Sequence, residues 1–217
     1  MGGRVTRRVV KPDQCVIGFG IPTNRGSFLR AQASPTNRDF VVNNCPDLRD
    51  YEREVLDYAD ELIPGMRGLG ASVSEDLTLH GFGRLFTESP SVVILFAHWK
   101  TDSVEFADGL ASIGEVIEEV PAAYDGIVDL CVCHPKQLAL RLRRHRTDCV
   151  VKFTEGTATP AFWLCFYVVL LTKLRDAEMT YLDAVESTLA DFQRQLRKKS
   201  WRDYTKFSRR FLSRPGL

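Results

Sequence analysis

The chain has no apolar run long enough to cross a membrane. Its longest apolar stretch, Ala161–Leu171, falls well short of the roughly 20 residues that a membrane-spanning helix needs. We therefore expect this stretch to form a buried helix of a globular protein. The basic N-terminus has no apolar core of the kind found in signal peptides, so we expect the protein to be cytoplasmic.

A strong charge of one sign is also missing. Lys and Arg together number 29 and Asp and Glu number 28, so the net charge is +1 and favours no class of partner. The exception is the segment 197–217, which is basic and carries an aromatic stripe of Trp201, Tyr204, Phe207 and Phe211. This pattern predicts an amphipathic helix that is a solvated face, a protein-docking surface, or a contact for an anionic membrane or nucleic acid. We favour docking, because the aromatic stripe needs burial, and we do not expect direct nucleic-acid binding.

The six cysteines show no disulfide framework. Most lie inside apolar strand or helix patterns, where a reduced cysteine behaves as a small apolar side chain, which suits a reducing cytosol. The spacing Cys131-x-Cys133-His134 suggests zinc, but strand alternation places the two thiols on one side and His134 on the other. Because the sequence has no second cluster of paired ligands, we expect no metal site.

Two short apolar runs each end on a reactive side chain. His98 lies near the C-terminal end of the run Ser91–Lys100, and Cys133 lies near the C-terminal end of the run Gly126–Pro135. Both are typical of buried strands, and the segment 112–120 between them has a helical pattern. A strand–helix–strand order predicts a parallel sheet, which places ligands at the carboxyl ends of its strands. The sequence therefore predicts a Cys–His nucleophile pair on an α/β scaffold.

Further patterns predict the rest of the domain. We expect strands within 13–23, 39–44, 70–73, 104–109 and 148–153, and helices within 49–63, 135–146, 157–174 and 180–196. Pro64 and Gly65 are expected to end the first of these helices, and Ser74 to cap another that carries Phe82 and Phe86. We interpret residues 1–196 as one α/β domain, followed by the separate basic segment 197–217.

The order of these motifs resembles that of the CHAT family of caspase-like cysteine peptidases, over about 15–192. The matching motifs are ILFAHW with His98, VEFADG, LCVC with Cys133, and then Ala158, Thr159, Phe166 and Tyr167. The dipeptide Cys133-His134 is also similar to the one in metacaspases. The resemblance implies a three-layer sandwich, with a mostly parallel sheet flanked by helices, that needs no cofactor.

The resemblance also implies roles for residues at the two strand ends. Cys133 would attack a peptide carbonyl, and His98 would take its proton and later protonate the leaving amine. The backbone N–H groups of Cys133 and Trp99 would hold the oxyanion. Trp99 stands where relatives carry glycine, and its bulk predicts a partly obstructed cleft. Cys131 is the rival nucleophile; it lies one strand pitch deeper, so we expect it to pack or to line the substrate pocket.

Three carboxylates are further candidates for the substrate pocket. Asp108 would line it or simply form a turn with Gly109, and Asp129 would line it or belong to a buried structural network. Glu155 follows the last core strand, where related enzymes build pocket walls. If Asp108 or Glu155 lines the pocket, basic residues should be preferred at the cleavage site. Relatives specific for basic residues carry an acid at the position of Cys131.

We interpret the chain as a cysteine endopeptidase acting on a protein or peptide substrate. CHAT domains often lie beside sensor domains, and some prokaryotic members act in antiviral defence, so the resemblance implies control by a regulatory partner or by oligomerisation. One alternative is a catalytically silent CHAT-like module that binds a partner. Another is a different cysteine hydrolase or acyltransferase on the same scaffold.

Overall fold

A parallel sheet of five strands forms the centre of the computed structural model, which describes residues 8–34, 40–44, 47–154 and 159–196. In spatial order its strands are β2 (Ser72–Ser74), β1 (Cys15–Phe19), β3 (Val92–Phe96), β7 (Ile127–Cys131) and β8 (Val150–Phe153). Every neighbouring pair runs parallel. The expected α/β class with a mostly parallel sheet is thereby confirmed.

Helices cover both faces of this sheet. On one face lie α1 (Arg25–Ala33), α2 (Leu48–Tyr51), α3 (Asp57–Gly68), α7 (Pro160–Asp176) and α8 (Tyr181–Leu196). On the other lie α4 (Leu79–Arg84), α5 (Ile113–Glu119) and α6 (Lys136–His145). Alternate residues of β3 enter the two separate cores, with Ile94 in one and Leu95 in the other. A strand buried on both faces has a continuous apolar sequence, which explains the run VVILF.

An antiparallel sheet of three strands follows β3 almost without a break. Its strands are β4 (His98–Lys100), β5 (Ser103–Phe106) and β6 (Gly109–Ser112). Only Ala97 separates β3 from β4. The motif VEFADG, expected as one strand and a turn, is therefore the middle of a three-strand unit that begins at His98.

Within the segment 39–44, where a strand was expected, the structure describes residues 40–44, and these are not a strand. Phe40–Asn44 forms a single π-helical turn. Phe40 and Val41 are both buried, although they are adjacent in the chain. A strand points adjacent side chains to opposite faces, so a helical turn buries this pair on one side more readily.

Two helix boundaries also differ from expectation. Pro64 lies inside α3, which continues to Gly68 and buries Met66. Burial of a side chain such as Met66 contributes about 1.5–3 kcal/mol, which offsets much of the roughly 3 kcal/mol cost of an internal proline. The cap of α4 is Thr78, whose side chain accepts the Gly81 N–H, whereas Ser74 belongs to β2.

Other local signals are confirmed. Ser112 and Glu115 form the expected capping box of α5, and α6 begins directly after Pro135. The hydroxyl of Thr180 accepts the Asp183 N–H at the start of α8. Within the described ranges, no helix combines the length and apolar character needed to cross a membrane. The basic segment 197–217 lies outside the described residues.

Candidate active site

The strands that carry His98 and Cys133 are neighbours in the sheet. β3 and β7 pair in parallel register, with Phe96 opposite Cys131 at their carboxyl ends. His98 and Cys133 each follow the end of their strand by two residues. Because the strands are parallel and in register, both side chains emerge at the same edge of the sheet.

His98 and Cys133 line one cleft at this edge. The cleft encloses about 420 Å³ of space, counting its open mouth. The other lining residues are Ile21, Phe40, Phe96, Ala97, Cys131, Val132, Pro160 and Trp163. Among the residues singled out from the sequence, the structure therefore brings together His98, Cys131 and Cys133.

A tight strand-to-helix turn presents Cys133. β7 ends at Cys131, and His134 has a φ of 49°, in the left-handed region that few side chains adopt. Pro135 follows, and α6 begins at the next residue. This turn leaves Cys133 half-buried while Cys131 is 5% exposed. Sparsely populated backbone conformations of this kind concentrate at functional sites.

Neither cleft thiol is predisposed to ionise. Burial raises the pKa of the Cys133 thiol above its ordinary value of 9.0. The pKa of Cys131 is raised well above its ordinary value, first by burial and then by the negative charge of Asp129. Since the thiolate is the nucleophilic form, Cys133 needs a neighbouring base at neutral pH, and Cys131 is the poorer nucleophile.

A buried carboxylate that the sequence reasoning missed lies beside His98. Glu105 is 1% exposed and stands directly opposite His98 in the β4–β5 ladder, which places the two side chains on one face. Its Oε2 accepts the Phe40 N–H at 2.9 Å, and the Phe40 ring centroid lies 5.1 Å from that of His98. One sequence signal could have identified Glu105. It is the only acid between the apolar residues Val104 and Phe106 of a strand, so its side chain must point to the face opposite the core that those two residues enter.

A glycine fixes the hairpin that carries His98 against the end of β1. The Gly20 N–H donates to the Phe96 carbonyl at 2.8 Å. A Cβ at Gly20 would lie 2.7 Å from the Glu105 carbonyl oxygen and 3.2 Å from the Ala97 Cβ. Any larger residue at position 20 would therefore push the hairpin away.

The backbone of Trp99 is directed differently from its side chain. Lys100 and Ser103 flank a two-residue loop, so they form a hydrogen-bonded pair and Trp99–Val104 a non-hydrogen-bonded pair. On this pattern the Trp99 N–H does not pair with β5. Its half-buried side chain packs against the core that contains Val104 and Leu95, on the face of the central sheet that α4, α5 and α6 cover. The ring does not line the cleft, because strand alternation separates it from His98, so the predicted obstruction has no support in the structure.

The carboxylate candidates do not line the cleft in the part of the chain that the structure describes. Asp108 is exposed, and its Oδ1 accepts the Leu79 N–H at 3.1 Å, which joins the β5–β6 turn to α4. Glu155 lies outside the described residues.

Asp129 belongs to a buried polar network behind the cleft. It is 0% exposed; Lys152 Nζ lies 3.0 Å from its Oδ1, and the Tyr181 hydroxyl donates to its Oδ2 at 2.7 Å. The Lys152 ammonium also lies 5.6 Å from the ring centroid of Trp163, a wall of the cleft. This placement favours the structural role that the sequence left open for Asp129.

No group of three or more His, Cys, Asp or Glu side chains in the described ranges is arranged to hold a metal ion.

Comparison with known proteins identifies no relative of this chain. Neither the scan against protein-family models nor the search of curated proteins finds a match.

Proposed function

We propose that this chain is a cysteine endopeptidase of the caspase-like CHAT type, with Cys133 as nucleophile and His98 as general base and acid. The observation that carries the proposal is that both side chains line one cleft, at the carboxyl edge of neighbouring parallel strands. A half-buried thiol that shares a cleft with an imidazole supplies the two groups that thiol acyl transfer requires.

The reaction begins with proton transfer from the Cys133 thiol to His98. The sulfur attacks the scissile carbonyl, and the oxyanion is held by the N–H groups of Cys133 and Trp99. The C–N bond then breaks as His98 gives its proton to the leaving amine. His98 next takes a proton from water, the hydroxide oxygen bonds to the thioester carbon, and the C–S bond breaks. The proton returns to the Cys133 sulfur, which restores the enzyme.

Regulation by a protein partner or by oligomerisation belongs to the same proposal. The burial that raises the pKa of Cys133 makes the thiol dependent on the position of His98. A partner that shifts the β4–β5 hairpin by a small distance would therefore change activity strongly. A role in prokaryotic antiviral defence rests on the family resemblance alone, and a cytoplasmic setting rests on the cysteine pattern of the sequence.

The test is alkylation of Cys133 by iodoacetamide at pH 7, followed by mass spectrometry of the peptide that contains it. We expect His98→Ala to slow labelling by at least about tenfold, because the thiol then loses its base. Cys131→Ala is the matched control and should leave the rate of Cys133 labelling unchanged. Equal rates in the wild type and His98→Ala would refute the dyad.

The second candidate is a catalytically silent module that binds a partner. It is favoured by the raised pKa of Cys133, which leaves the thiol neutral without assistance. The same experiment separates the two functions, since a silent module would show slow labelling that does not depend on His98.

A further inference from the structure

We propose that the cleft binds an apolar side chain of the substrate, next to the bond that is cut. This inference rests on the proposed function. It names a substrate class that differs from the basic preference expected from Asp108 or Glu155. The two catalytic side chains belong to the lining of this cleft, so any group that fills it lies beside the attacked carbonyl.

The walls of the cleft are hydrocarbon surfaces. Phe96 and Ala97 come from the end of β3, and Val132 from the end of β7. Phe40 and Trp163 contribute aromatic rings from the π-helical turn and from the first turn of α7. Apart from the dyad, no lining side chain in the described ranges is ionisable except the thiol of Cys131, whose pKa is raised well above its ordinary value. Sites of this kind bind apolar groups, because burial removes apolar surface from water.

The two aromatic walls are held in place by packing and hydrogen bonding within the protein. The Phe40 backbone is held by Glu105, and its ring lies 5.9 Å from that of Tyr51 in an edge-on arrangement. The Trp163 ring lies 5.4 Å from that of Phe166, also edge-on. A cleft with fixed walls loses little conformational entropy when a side chain enters, which favours binding.

The charged groups that lie close to the cleft already have partners within the protein. Lys152 lies behind the Trp163 ring and is paired with Asp129, with side-chain exposures of 9% and 0%. The Glu105 carboxylate accepts the Phe40 N–H and does not line the cleft. A charged substrate side chain would therefore leave water without meeting a carboxylate or an ammonium group among the described lining residues, which is unfavourable.

The test uses three tripeptidyl chloromethyl ketones that differ only in the side chain next to the ketone, which is leucine, lysine or aspartate. The Cys133 sulfur displaces chloride, and His98 accepts the thiol proton, so the labelling rate measures recognition without requiring turnover. We expect the leucine reagent to label Cys133 at least about tenfold faster than the other two, as apolar pockets discriminate by this order. Equal or faster labelling by the lysine or aspartate reagent would overturn the inference.

Iodoacetamide separates failure of this inference from failure of the proposed function. If iodoacetamide labels Cys133 in a His98-dependent manner while the three peptides react equally, the dyad stands and the apolar site does not. If iodoacetamide labelling is independent of His98, the proposed function fails, and the inference fails with it.

A charge placed in the wall sharpens the test. Pro160 is half-buried at the first position of α7, where glutamate is well tolerated by the helix dipole. We expect Pro160→Glu to raise the lysine-to-leucine rate ratio by at least about tenfold through charge pairing. Lys100→Glu is the matched control, because Lys100 is exposed on the same hairpin as His98 but does not line the cleft. An equal shift in both variants would mean that the field around the protein, and not the cleft, sets the ratio.

Discussion

Two groups of ionisable residues lie close together in this molecule and are treated in opposite ways. In the network behind the cleft, the buried Asp129 carboxylate is paired with the Lys152 ammonium and accepts a hydrogen bond from the Tyr181 hydroxyl. In the cleft, His98 and Cys133 are half-buried and open to a ligand. Complete burial of a charge requires a permanent partner, whereas a reactive pair must keep access to solvent and substrate.

The largest expected effect comes from breaking the buried network. Lys152→Met keeps an apolar contact with Trp163 but leaves Asp129 without its opposite charge. We expect the free energy of unfolding to fall by about 3–5 kcal/mol, measured by urea denaturation.

A double variant provides the control for this prediction. Adding Asp129→Asn to Lys152→Met removes the uncompensated charge, so it should restore a large part of the lost stability. A loss below about 1 kcal/mol in Lys152→Met would show that the ion pair is not needed to compensate the burial of Asp129.

The pH dependence of the Cys133 alkylation rate tests how far the reactivity of the cleft depends on His98. Burial raises its pKa above 9.0, so the neutral thiol is the form favoured by the fold and the thiolate appears only as the pH rises. In His98→Ala, where no base assists, we expect the iodoacetamide rate to rise about tenfold per pH unit from 7 to 9. The wild type should react faster at pH 7 and show a shallower rise. A plateau in the variant below pH 8 would contradict a raised pKa.

Glu105 combines features of both groups. Its carboxylate is buried, as that of Asp129 is, and it accepts a hydrogen bond from Phe40, which lines the cleft. Glu105→Ala leaves the Phe40 N–H without this acceptor, so we expect a loss of about 1–3 kcal/mol in unfolding free energy. Labelling of Cys133 should also slow, by a factor on the order of ten, because Phe40 packs against His98. Glu105→Gln retains an acceptor and should recover most of the stability. Wild-type labelling and stability in Glu105→Ala would exclude a positioning role.

The smallest effect is expected at Trp99, on the other face of the same hairpin. Trp99→Gly restores the residue of the resembled family but removes a half-buried ring from the core, at a cost of about 1–2 kcal/mol. Because the ring does not line the cleft, iodoacetamide labelling should change less than about threefold. Labelling of Cys133 that is much faster in Trp99→Gly than in the wild type would show that the Trp99 ring obstructs access to the cleft.

The sequence predicted those features of the fold that depend on local patterns. Continuous apolar runs identified the strands before His98 and Cys133, and the Ser112 capping box located α5. The short segment 39–44 and the proline at position 64 were misjudged, because packing against distant residues overrides weak local preferences. Glu105 was missed for a related reason: its importance depends on which residue stands opposite it.

The candidate dyad could therefore be named from residue order alone, because strand ends and their reactive side chains follow from nearby residues. What the sequence did not reveal is how the surroundings of these side chains are arranged. The pairing of Glu105 with His98, the burial of Asp129 against Lys152 and the direction of the Trp99 ring all join residues from different elements or faces. Such contacts depend on strand register and on the neutralisation of buried charge, and both are established only when the whole domain packs.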